Sequence, residues 1–146
     1  MNRQPRRFGQ SGFSLVEVLI TLVIVAIGLM GFASMMLNSM KNNRISMQRS
    51  MATLYAYDII DCMRANRGNV VSDYQTDFDD APETTPTTVA EGDIKIWKDA
   101  LSSLLPSGEG KISFPSGNTV RVEIKWTETI NAGDDAIHTW PTESTL

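Results

Sequence analysis

The sequence predicts an α+β protein in which a long N-terminal helix packs on a small antiparallel sheet. Three observations carry this prediction. Residues 13–37 form an apolar run broken by one carboxylate, Glu17. Apolar residues then recur at three- and four-residue steps from Met47 to Met63, the period of a helix with one buried face. Nearer the C-terminus, Val120, Val122, Ile124 and Trp126 alternate with Thr119, Arg121, Glu123 and Lys125. That is the period of a strand with one buried face.

The 146 residues suit one domain of ordinary size plus an extended element. Hydrophobic residues make up 42% and charged residues 21%, as in globular proteins generally. The charge is unevenly placed. No charged residue occurs from Val18 to Met40. After Met51, seven Lys/Arg stand against sixteen Asp/Glu, a local balance of −9. Such an acidic part lacks the clustered cations that phosphate backbones require, so direct nucleic-acid binding is not expected. Cys62 is the single cysteine and His138 the single histidine. The chain therefore forms no internal disulfide and has no Cys/His ligand set for zinc. Cys62 reads as a small buried hydrophobe and His138 as an ordinary polar residue of a terminal strand. No nucleophile–base–acid set and no Gly-rich phosphate loop is present, so an enzyme is not expected and no cofactor is called for.

Residues 1–12, MNRQPRRFGQSG, are basic and carry Pro5, Gly9 and Gly12, all unfavourable to helix. The apolar stretch from Phe13 to Leu37 is long enough to span a bilayer, which takes ~20 helical residues. Arg3, Arg6 and Arg7 favour a cytoplasmic N-terminus, although Lys41, Arg44 and Arg49 beyond the apolar run weaken that bias. A secretory signal would have a small-residue cleavage site after a shorter apolar region. Here the candidate small residue, Gly12, precedes the run, so cleavage there leaves the hydrophobic helix on the product. Glu17 costs roughly 2.5–3.5 kcal/mol on insertion scales for a charge at the centre of a membrane helix. It lies close to the start of the apolar run and can reach the interface. Alternatively, it pairs with a cation supplied by a neighbouring protein, such as the amino group that cleavage after Gly12 would create on Phe13.

The string Gly12-Phe13-Ser14-Leu15-Val16-Glu17-Val18-Leu19-Ile20 resembles the class III signal of type IV prepilins and pseudopilins. The resemblance covers residues 6–37. It implies cleavage after Gly12 by a prepilin peptidase, N-methylation of Phe13, and Glu17 as the acid that sets register during assembly. It divides the chain into a cleaved leader (1–12), a transmembrane and filament-core helix (13–37) and a periplasmic head (38–146). It further implies that the leader is removed at the inner membrane and that the mature protein moves from there to the pilus and cell surface.

No proline occurs between Pro5 and Pro82, so the helix is predicted to continue to Asn66-Arg67-Gly68, with Gly68 as C-terminal cap. A helix from Phe13 to about Arg67 would be roughly 80 Å long. Its second half shows Met47, Met51, Leu54, Tyr55, Ile59, Cys62 and Met63 on one stripe, the spine of the head. Gln48, Arg49, Asp58 and Asp61 fall mostly outside it. Seven of the eight methionines lie between residues 30 and 63, and their flexible side chains suit packing against varied neighbours. Gly28 and Gly31 permit close helix approach or local unwinding.

Residues 69–93 read as a long solvated connection, rich in Asp, Thr, Pro and Glu. Its aspartates do not have the spacing of a calcium loop. Asp93 is then expected to cap a short helix bearing Ile94, Trp97, Leu101, Leu104 and Leu105 and ended by Pro106. Strands are predicted at Lys111–Phe114 and Thr119–Thr127, with a third at Ala136–Trp140. The order Trp97, Leu101, Leu104-Leu105-Pro106, Gly108, Gly110 followed by the alternating strand resembles PilV-type minor pilins. The I-type minor pseudopilin of type II secretion is a close rival. The resemblance implies a non-enzymatic component of a type IV pilus that acts with other minor and major pilins, prepilin peptidase and the inner-membrane assembly platform. It implies a role in priming assembly, adhesion and twitching motility. An uncleaved single-span anchor with a sensing or adhesive head is the alternative outside the family.

Overall fold

The computed structural model describes residues 12–69, 73–131 and 134–146. The chain divides into two compact units, residues 1–42 and 43–146. The first helix, α1, runs from Leu15 to Ala65. Its apolar part belongs to the first unit and its amphipathic part to the second. The Ser14 carbonyl accepts from Glu17 N at 3.0 Å and Val18 N at 3.2 Å, which opens the helix. At the other end Asn66 N donates to the carbonyls of Cys62 and Met63, and a 3₁₀ turn over Arg67–Asn69 follows. Gly68 is therefore no left-handed cap, contrary to expectation. Its φ is not positive, and the tightened last turn satisfies the terminal carbonyls instead.

The head, residues 43–146, is α+β as predicted. Helix α2 covers Val89–Leu104. Strands β1 (Glu109–Ser116), β2 (Thr119–Asn131) and β3 (Asp134–Thr145) form one antiparallel sheet in the order β1-β2-β3. Ile112 lies opposite Val122, Ile124 opposite Trp140, and Trp126 opposite His138. Gly117, with φ of 52°, makes the β1–β2 turn in a conformation costly for other residues. The C-terminus is pinned beside it, because Leu146 N donates to the Asn118 carbonyl and Asn118 Nδ2 to that of Leu146. All three strands are longer than predicted. Cross-strand pairs extend them past the apolar alternation: Arg121 Nε donates to Glu143 at 2.6 Å and Thr129 Oγ1 to Asp135 at 2.7 Å.

Val120, Val122, Ile124 and Trp126 are fully buried, as their alternation predicts. The stripe on α1 differs from expectation. Gln48, Ala52, Ala56, Ile59, Ile60 and Met63 are the buried residues, whereas Met47 and Leu54 are 55% and 61% exposed. Met51, Tyr55 and Cys62 lie along the flanks of the core. Ala52 and Ala56, one turn apart, belong to the same buried core as Trp126, which is 1% exposed. Counting only large apolar residues misplaces this face.

Helix α2 is capped by Thr88, not Asp93. Glu91 N donates to Thr88 Oγ1, and Thr88 N donates back to the Glu91 carboxylate, completing a capping box. Two reciprocal bonds to the helix end, against one from Asp93, explain the earlier start. Asp93 instead accepts from the Tyr74 hydroxyl at 2.5 Å.

The connection before α2 is docked along its first half, which also departs from the solvated loop expected. Tyr74 is fully buried and Thr76 nearly so. Thr76 exchanges two backbone hydrogen bonds with Ile112, of 3.2 and 2.9 Å, and so covers the outer edge of β1. Lys98, almost wholly buried, donates to the carbonyls of Asp77 and Asp80 at 2.6 and 2.7 Å. Lys111 reaches the Asp77 carboxylate at 2.9 Å. These bonds explain how so acidic a segment folds back onto the head.

Candidate assembly segment at the N-terminus

The segment starts in irregular backbone at Gly12, Phe13 and Ser14 and becomes helical at Leu15. An ideal Cβ on Gly12 would meet no atom within 4 Å, so the backbone there is open to approach. Phe13 follows directly and is 83% exposed. Glu17 occupies the first turn of α1, where the unpaired N–H groups favour a negative charge. Gly12, Phe13 and Glu17 thus lie within about one and a half turns of one another along the chain. Residues 1–11 of the expected leader lie outside the described residues.

Beyond Glu17, every large hydrophobic residue up to Met40 is exposed within the chain. An 18-residue window of α1 reaches a mean hydropathy of 2.6 with none of it buried, long and apolar enough by length and composition to cross a membrane. Two polar side chains along this stretch are satisfied inside the helix. Thr21 Oγ1 donates to the Val18 carbonyl at 2.8 Å and Ser34 Oγ to that of Met30 at 3.0 Å. Both serve an apolar medium, where an unpaired hydroxyl is costly. Gly28 and Gly31 have open space where a side chain would lie, so a second helix could come close there.

The head carries a different kind of chemistry. Arg49 holds the buried Glu128 carboxylate with Nε at 3.3 Å and Nη2 at 3.1 Å. Trp97 Nε1 donates to the Tyr55 carbonyl at 3.0 Å, and Arg64 Nη2 to Ser144 Oγ at 2.8 Å. These bonds lock residues 49–64 of α1 to α2 and the sheet. Sequence periodicity marked none of them, since each joins residues far apart in the chain. Cys62 is half-buried, and burial, followed by Asp93, Asp58 and Asp61, pushes its thiol up from the ordinary range. It is therefore a poor thiolate. His138 lies on β3 as expected, its ring 4.9 Å from that of Trp126. Among the described residues, no group of three or more His, Cys, Asp or Glu is placed to hold a metal ion.

Residues 7–33 match the family model of the prokaryotic N-terminal methylation motif. No curated protein and no solved structure matches the chain. The matched motif, the exposed apolar helix behind it and the α+β head support a type IV pilin-like or pseudopilin precursor. Such a precursor is anchored in a membrane and serves structurally, in assembly with other pilins.

Proposed function

We propose that this chain is a minor pilin of a type IV pilus. The observation that carries the proposal is a methylation motif leading directly into a helix whose apolar surface the chain leaves uncovered. Prepilin peptidase cuts after Gly12 and the new amino terminus of Phe13 is methylated. The basic leader stays cytoplasmic and the head lies in the periplasm. The inner-membrane assembly platform then extracts the helix from lipid into a bundle of other minor and major pilin helices.

Glu17 supplies the register. In lipid it sits near the interface, where its charge is tolerated. In the filament core it requires a cation, which the methylated amino group of a neighbouring pilin provides. A subunit out of register leaves a charge unpaired in an apolar medium, which disfavours the wrong arrangement. The acidic heads repel one another, so the helices carry the cohesion. The complex formed with other minor pilins primes assembly and sits near the tip, supporting adhesion and twitching motility.

The test is N-terminal sequencing and intact mass of protein from sheared pili and, separately, from membranes. A chain starting at methylated Phe13 in the sheared fraction supports the proposal. Processed chain confined to membranes points to a pseudopilus of type II secretion. A chain starting at Met1 in both fractions refutes it in favour of an uncleaved anchor.

A further inference from the structure

The sheet has two edges, and the chain covers one of them. Thr76 bonds to Ile112 and closes the edge at β1, whereas no backbone bond reaches the outer edge of β3 among the described residues. The ladder fixes which groups lie on that edge. Leu146 N donates to the Asn118 carbonyl at 3.0 Å, and bonded pairs alternate with unbonded pairs along antiparallel strands. The register is unbroken from Thr119–Thr145 to Thr129–Asp135. His138, Trp140 and Thr142 therefore bond to β2, while Ile137, Thr139 and Pro141 turn their backbone groups outward. Pro141 agrees with this assignment: it lies opposite Glu123, at a position where β2 asks for no N–H.

A free edge is a template for another strand, and folded proteins blunt it by keeping it short or by placing lysine or proline on it. β3 is 12 residues long and carries no lysine or arginine from Asp134 to Leu146. Pro141 is its one interruption, and Ile137 stands on it 74% exposed. The core is open along the same flank. Val122, Ile124 and Trp126 of β2 are fully buried, but Thr142, Trp140 and His138 opposite them are only half-buried. Charge indicates what kind of strand fits. Arg121 neutralises Glu143, whereas the partner of Asp135 among the described residues is the uncharged Thr129 hydroxyl. A second copy of this chain supplies no cation for Asp135 from its own β3, and its acidic head repels the first.

We infer that the outer edge of β3 receives an extended strand from a different protein, paired along Asp135–Thr139 and carrying a lysine or arginine beside Asp135. The N–H groups of Ile137 and Thr139 donate to the added strand, and their carbonyls accept from it. Pro141 ends the ladder, because it has no donor to offer at the next outward position. Main-chain bonds of this kind hold the strand, and alternate side chains select it. On the inner face apolar side chains of the added strand lie beside His138 and Trp140 and finish covering them. On the outer face the cation meets Asp135. This surface belongs to the head and does not depend on how the N-terminus is processed.

The experiment is residue-level amide hydrogen exchange of the full chain in detergent, with two short probe peptides. Both alternate valine with threonine; one has lysine at each end and the other glutamate. The lysine-ended peptide should slow exchange at Ile137 and Thr139 and bind about fivefold tighter than its counterpart, a gap that narrows as salt is added. Thr139→Pro removes an outward N–H and no bond to β2, so that chain should keep its urea midpoint and lose the peptide. Asp135→Lys should reverse the preference in favour of the glutamate-ended peptide, which tests the edge even if the proline variant fails to fold. Unchanged exchange at Ile137 and Thr139 with both peptides overturns the inference, and so does equal affinity for the two. Slowing at these amides that grows with protein concentration in the absence of peptide also overturns it, because the occupant is then a second copy.

Discussion

Replacing Arg49 by alanine tests how the head is secured to α1. Glu128 is 3% exposed, and among the described residues Arg49 is its sole partner. The arginine side chain is itself 45% exposed, so the pair is half in water. Removing one partner of a fully buried pair costs about 3–5 kcal/mol, while exposed pairs contribute about 0–1 kcal/mol. The intermediate geometry places Arg49→Ala at about 2–3 kcal/mol, nearly all of it from the stranded carboxylate. With a urea slope of about 1.5 kcal/mol/M, the midpoint should fall by roughly 1.5–2 M. The assay is urea unfolding of the full chain in detergent, followed by tryptophan fluorescence, since Trp126 and Trp97 are both buried in the head core. In a Glu128→Gln background no charge is stranded, and the same Arg49→Ala change should cost under about 1 kcal/mol. Equal losses in the two backgrounds would refute the reasoning.

Further outcomes follow from the same structure. Gly110→Ala should cost about 1–3 kcal/mol by overpacking, because a Cβ there would clash with the edge of the Trp97 ring, 2.3 and 2.5 Å from two of its carbons; an unchanged urea midpoint contradicts it. Burial, then the hydrogen bond to Asp93, pushes the Tyr74 phenol up to about 12. The folded state then holds a proton that the unfolded chain releases near pH 10, so stability falls between pH 10 and about 12. Tyr74→Phe should remove that part of the decline, as measured by urea midpoints across the range. Glu17→Ala should lower the amount of protein in sheared pili while leaving membrane insertion unchanged, as read by immunoblot of both fractions. Equal amounts in sheared pili would show that Glu17 does not set register.

Much of the candidate site was legible because it is linear. Gly12, Phe13, Glu17 and the apolar helix behind them form one unbroken stretch, and neither recognition by a peptidase nor membrane insertion requires distant residues to meet. The strand over Val120–Trp126 was equally readable, since alternation shows directly which side chains face the core. The cap of α2 was also written locally, in Thr88-x-x-Glu91, but Asp93 competed for the same role. The bond that Tyr74 makes to Asp93 is not visible without the fold.

Local periodicity and composition determined the helix, the principal strand and the membrane-length segment, because neighbouring residues set those patterns between themselves; the motif was legible as a contiguous string through its resemblance to a known signal. Only the tertiary structure decided which face of α1 is buried. Ala52 and Ala56 are fully buried there, while the larger and more apolar Met47 and Leu54 are exposed. It also decided that Lys98 is buried against the carbonyls of Asp77 and Asp80, and that Arg49 meets Glu128, 79 positions later. A charge can be buried only where packing brings a partner within hydrogen-bond reach, and no spacing in the sequence encodes that meeting.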